Sequence, residues 1–135
     1  MLTRLALAAF LLAHAGIHAA FVSPRPPATA GGPAWPFDLS GSWLLTRLGV
    51  EGEIPRILAM TLIAATIGGY ALAALAAAGV APDAIWGPAV LTGSIASIGL
   101  LGVFFHPWLV LGVLIDVVLV WSVSVAGWSP DHLAP

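Results

Sequence analysis

Four apolar runs constrain this chain more than any other feature. They cover residues 2–22, 54–79, 85–105 and 107–125. Each is long enough to cross a hydrocarbon core of roughly 30 Å, which takes about 20 helical residues. Inside lipid a backbone finds no water, so such runs fold as helices that satisfy their own N–H and C=O groups. Only 7% of the 135 residues are charged, against about 25% in soluble domains. A soluble fold of this size could not hide so much apolar surface, so the bilayer is the expected partner of most of it. The expected fold is all-α: a four-helix transmembrane bundle forming one integral membrane domain.

The joints set the topology. "APDAIWGP" (81–88) separates the second run from the third, and "FFHPW" (104–108) the third from the fourth. Pro107 is well placed to open a helix. Both joints are short, so the helices they connect are antiparallel neighbours. The first connection is longer. "SPRPPATAGGP" carries neither a helical nor a strand period. The following "AWPFDLSGSWLLTRLGV" mixes large apolar side chains with Asp38, Ser40 and Arg47. A short helix from Asp38 or Ser40 to Leu48, lying in the membrane interface, fits that mixture. It would cap the helix ends, or, with Trp35, Phe37 and Trp43, act as a lid over a lateral ligand entrance. The first run has Arg4, an apolar stretch and "AHA" (13–15), the layout of a cleaved leader. It continues to Val22, however, and is read as a membrane span.

An even number of spans puts both termini on one side, here called side A, with Arg4 and the 81–88 turn. Side B holds the long connection and the His106 turn. Arg25, Arg47 and Arg56 on side B argue for that side inside the cell. Arg4 ahead of the first span argues the reverse, as does the cost of moving its charge across. The N- and C-termini are therefore expected in the cytoplasm.

Several functions are excluded. The four basic residues are all arginine and are spread along the chain, which leaves no basic patch for nucleic acid. Without cysteine there are no disulfides, thiolate metal sites or thiol redox steps. Phosphate-binding loops, dinucleotide glycine fingerprints, nucleophile elbows and HExxH motifs are missing.

Ionisable groups inside a membrane are costly and mark functional sites by default. They are His14 and His18 in the first run and Asp116 in the fourth, with His106 and Arg56 at helix starts. At about 1.5 Å per residue, His18 lies ~6 Å, His14 ~12 Å and Asp116 ~14 Å below the side B end. His14 and His18, four apart, share a helix face. A carboxylate buried in lipid needs a partner or a proton, so an Asp116–His14 hydrogen bond between the first and fourth spans is expected. Gly112, one turn before Asp116, leaves room for a close partner. The pairs Ala64/Gly68 and Gly93/Ser97 have the small-residue spacing that lets membrane helices approach closely. Ser94 and Ser97 are candidates to hydrogen-bond across helices.

Four readings of this cluster compete. His14, His18 and Asp116 make a polar clamp that fixes helix register, or, with His106 and Arg56, line a site for a quinone or lipid. A divalent metal on His14, His18 and Asp116 ranks below these. Haem is disfavoured, because His14 and His18 approach from the same side. A proton pathway ending at Asp116 lacks any polar step onward to side A.

Three segments carry a resemblance. "HAGIH" (14–18) resembles the H-G-x-x-H-like segment near the start of many small bacterial four-helix membrane proteins, with Ala15 in place of Gly. "PAWPFDLSGSWLL" (33–45) and "FFHPWLVLGVLID" (104–116) look like signatures of the same proteins, which are broadly DoxX-like. The resemblance implies a bacterial inner membrane and an accessory or redox-linked role, with a membrane protein partner or a quinone nearby. The resulting expectation is a small membrane accessory or binding protein with a buried His/Asp site near one face. The alternatives are a metal- or quinone-linked oxidoreductase component and a subunit of a homo-oligomeric transporter.

Overall fold

The computed structural model describes residues 1–24, 26–27, 30–32 and 35–133. Arg25, used above in weighing orientation, and residues 33–34 of the second signature segment lie outside the described residues. All regular structure among the described residues is helical. Helix α1 (Leu2–His18) runs on through a 3-10 turn to Phe21, and α2 is the short Trp43–Arg47. The long helices α3 (Ile54–Ala77), α4 (Trp86–Val103) and α5 (Val110–Ser124) follow. With their flanking 3-10 turns, four helices are long and apolar enough to cross a membrane. The chain is an all-α four-helix membrane bundle.

The helices pack in chain order. α1 lies against α3, α3 against α4 and α4 against α5, while α1 and α5 meet only sparsely. The bundle therefore has one loose seam, between its first and last long helices. The α1 stripe that faces inward is Ala8, Leu11, His14, Ala15 and His18. That is the spacing of a single helix face, so both histidines point into the bundle rather than at lipid. On α5 the pattern is starker, because Asp116 is its one fully buried residue.

Glycine sets the tightest contact. A Cβ on Gly69 would sit 2.5 Å from the backbone nitrogen of Gly93 and 2.9 Å from the Ala89 carbonyl oxygen. Backbone meets backbone here, as small residues permit in membranes. The sequence spacing misplaced this contact on α3. Ala64 and Gly68 face outward, and it is Gly69 that meets Gly93.

Side A is tied together by Arg4. Its guanidinium donates to the carbonyls of Ala77 (2.8 Å) and Ala76 (3.1 Å) at the end of α3, and pairs with Asp83 at 3.2 Å. Asp131, in the 3-10 turn Pro130–Leu133, lies 3.9 Å away, so both termini sit at the same end of the bundle. Gly79, at φ 76°, closes α3 with Val80 N–H donating to the Leu75 carbonyl and Gly79 N–H to that of Ala76. This is the Schellman ending that a residue free to adopt positive φ allows.

On side B, α2 is shorter than its composition suggested. Ser42 caps it, accepting from Leu45 N–H while donating to the Val103 carbonyl at 2.6 Å. Upstream, the Asp38 side chain accepts from Ser40 N–H in a local turn instead of opening a helix. The Trp43 indole donates to the Gly102 carbonyl at 2.8 Å. The interfacial segment is thus fastened to the last turn of α4, whose orphan carbonyls it satisfies.

Candidate functional site: a buried carboxyl group and its polar neighbours

Asp116 is fully buried, and every long helix sends it or its neighbours a polar side chain. From α1, His14 Nε2 donates to Oδ1 at 2.9 Å. From α3, the Tyr70 hydroxyl donates to the same oxygen, and it also lies 3.0 Å from Ser94 Oγ. From α4, Ser97 Oγ meets Oδ2 at 2.5 Å. Ser97 is in turn 2.7 Å from His18 Nε2, and His18 Nδ1 donates to the His14 carbonyl at 3.0 Å. The expected His14–Asp116 bond is present. A buried carboxyl group in lipid is tolerable only with partners of this kind, and these are hydrogen-bonded on both oxygens.

The local sequence explains the convergence. His14 and His18 are one helical turn apart, and their rings meet edge-on with centroids 5.2 Å apart. Tyr70 follows Gly69, whose lack of a side chain brings α3 against α4. Gly93 makes space for the Tyr70 ring, which would stand 3.1 Å from a Cβ there. Tyr70 is the only tyrosine of the chain, and sequence reasoning passed over it. One polar-tipped aromatic inside an otherwise apolar span was the available signal.

A cavity of about 140 Å³ lies beside the cluster, in the seam between α1 and α5. His14, His18 and Phe21 line it from the first span, Gly112 and Ile115 from α5, and Leu101 from α4. Its lining is almost wholly apolar. Ile17, Trp108 and Leu111 also line it and are themselves more than half exposed, so they mark its mouth on the lipid-facing side. The space expected beside Gly112 is partly taken by Leu101, whose Cδ1 would lie 3.0 Å from a Cβ at that position. One polar atom of a lining residue stands out. Among the described residues, buried His14 Nδ1 has no hydrogen-bond partner. With Nε2 donating to Asp116, Nδ1 of a neutral ring is a bare acceptor.

The other residues singled out from the sequence are placed elsewhere. His106 caps the 3-10 turn Pro107–Leu109, accepting from Trp108 N–H at 3.2 Å. Arg56 is exposed, with Glu53 at 3.9 Å. Neither bonds to the Asp116 cluster. Of the lid aromatics, Phe37 lines the cavity and packs edge-on against Phe21 at 5.2 Å. Trp35 rests on Phe37 from outside at 5.3 Å, and Trp43 is committed to α4. Among the described residues no three His, Cys, Asp or Glu groups are placed to hold a metal ion. His14 Nε2 and His18 Nε2 are instead each turned to a protein partner.

No protein-family model, curated protein or solved structure matches this chain. The geometry of the site therefore carries the functional reading by itself.

Proposed function

We propose that this chain is a small membrane binding protein that admits the polar ring of a lipid-soluble molecule through the α1/α5 seam. The observation that carries this is an apolar cavity lined by His14, whose buried Nδ1 has no hydrogen-bond partner. Its volume is close to that of protein cavities, about 150 Å³, that hold a single benzene ring. The open mouth leaves a hydrocarbon tail in the bilayer. A ring or glycerol head group with a hydroxyl fits best, because an unprotonated Nδ1 accepts a hydrogen bond and donates none. A quinol or a hydroxylated lipid has that chemistry.

A second reading is supported by Tyr70 and His14, which both donate to one carboxylate oxygen. Groups that move protons beside a ring site suit a quinone-linked oxidoreductase component. On either reading an accessory role beside a membrane partner is in keeping with the segments "HAGIH" and "FFHPWLVLGVLID", which resemble those of DoxX-like bacterial inner-membrane proteins.

The test is extraction of protein purified in mild detergent with organic solvent, followed by mass spectrometry. Wild type is compared with Ile17→Trp, which blocks the mouth without touching the Asp116 cluster. A hydroxyl-bearing lipid-soluble compound present near stoichiometry in wild type and depleted in the variant supports the proposal. Equal, non-stoichiometric lipid in both contradicts it.

A further inference from the structure

The hydrogen bonds around His18 require more protons than the ordinary forms of these side chains supply. The His14 carbonyl has no proton to give, so His18 Nδ1 must carry one to make its 3.0 Å contact. A neutral His18 then presents a bare Nε2 to Ser97 Oγ at 2.7 Å. Ser97 also meets Asp116 Oδ2 at 2.5 Å. Its single hydroxyl proton cannot fill both contacts. With Asp116 ionised and His18 neutral, two lone pairs would face each other at one of them, inside a dry bundle where that is most costly.

We infer that the cluster holds one additional, transferable proton, shared between Asp116 and His18 through the Ser97 hydroxyl. Two arrangements satisfy every contact. In the first, Asp116 is a carboxylic acid whose Oδ2–H donates to Ser97, and Ser97 donates to His18 Nε2. In the second, His18 is an imidazolium whose Nε2–H donates to Ser97, and Ser97 donates to the Asp116 carboxylate. They interconvert by one concerted shift. The Oδ2–H bond breaks as Ser97 gains that proton, and the former Ser97 proton passes to Nε2. No electrons move and no heavy atom need travel. Oδ1 stays unprotonated in both, because His14 Nε2 and the Tyr70 hydroxyl already donate to it. The cluster is electrically neutral either way, as burial in lipid favours.

Among the described residues, the titratable groups facing this relay are His14 and His18 from α1, Tyr70 from α3 and Asp116 from α5, with the hydroxyls of Ser94 and Ser97 from α4. The relay has one open end, the buried and unpartnered Nδ1 of His14, a residue that lines the cavity. A bound hydroxyl would donate there and join the chain His14–Asp116–Ser97–His18. That last link rests on the cavity reading, whereas the proton count does not.

The test uses whole protein in mild detergent, with nitrogen-15 histidine for NMR and infrared detection of the carboxyl group. The expected result is that carboxylic acid and His18 imidazolium populations sum to one per chain. His14 should carry its proton on Nε2, and His18, when neutral, on Nδ1. A carboxylate beside two neutral histidines overturns the inference, and so does an acid beside an imidazolium. In Ser97→Ala the interchange should stop, with the proton fixed on one partner. Interchange at the wild-type rate would contradict the role of Ser97. The wild-type count stands as a test even if that variant does not fold. For the open end, p-hydroquinone should shift the His14 Nδ1 resonance and its dimethyl ether should not. If both or neither shift it, the link to a head group fails while the count is judged on its own.

Discussion

His14 and Asp116, 102 positions apart in sequence, meet at 2.9 Å across a seam where their helices otherwise scarcely touch. The bond closes the ring of four long helices at its weakest join. It also lies beside the apolar cavity in that seam. The same bond thus ties the first and last long helices together beside a cavity that His14 lines.

Replacing Asp116 tests that bond. Asp116→Leu removes the hydrogen-bond partner of His14, Tyr70 and Ser97 together. Interhelical hydrogen bonds in membranes contribute about 0.6 kcal/mol each on average and up to about 1.7 kcal/mol. The expected loss is therefore about 2–4 kcal/mol, seen as a large drop in the thermal midpoint in detergent. Asp116→Asn has the shape and hydrogen-bonding pattern of the protonated acid. Its carbonyl accepts from His14 and Tyr70 while its amide donates to Ser97. It should unfold within about 1 kcal/mol of wild type, a margin the same hydrogen-bond magnitudes set. An Asn variant as unstable as the Leu variant would contradict the arrangement.

The α3/α4 crossing gives a paired test one residue apart. Gly69→Ala drives a methyl group into the backbone of Gly93, where nothing flexible can yield. Overpacking of this kind costs about 1–3 kcal/mol. Gly68→Ala meets nothing within 4 Å and should be neutral or stabilising by up to about 1 kcal/mol, the usual gain from replacing a helical glycine. Thermal unfolding of both variants in one detergent checks the contrast.

How much of this was open to reading in the sequence depended on which physical rule applied. The four spans were legible because length and apolarity fix a membrane helix. The His14–Asp116 bond was legible because helix direction and rise set depth, and an unpartnered charge in lipid is not an option. Rotation about each helix axis was not legible. Ala64 and Gly68 share the right spacing with each other but the wrong face, and only packing shows that Gly69 meets Gly93. Tyr70 stayed hidden for a related reason, since its depth follows from the approach of α3 to α4. The extent of α2 turned on Ser42, which bonds to Val103 at the end of a helix far along the chain.

Ser42→Ala tests that fastening. It removes an N-cap, worth about 0.5–2 kcal/mol, together with the bond to Val103. Amide hydrogen exchange should rise at Leu45 and through α2 while α3 and α4 keep their protection. Unchanged exchange at Leu45 would mean that the cap does not hold this segment.

The aromatic residues of the long connection should differ in kind. Phe37→Ala opens one wall of the cavity and should speed release of a bound ring compound, read as a faster off-rate with little change in the melting profile. Trp43→Phe removes one hydrogen bond to Gly102 and should leave that off-rate unchanged. Equal effects of the two would place the entrance elsewhere.

Photolabelling in proteoliposomes with a photoreactive, hydroxyl-bearing ring compound, followed by peptide mapping, tests for a ring site in the α1/α5 seam. Saturable labelling is expected at Ile17, Phe37, Trp108 and Leu111 around the cavity mouth, competed by unlabelled hydroquinone. Leu72 and Ile95, exposed on α3 and α4, should label weakly and without saturation. Labelling spread over all lipid-facing residues in proportion to their exposure would contradict it.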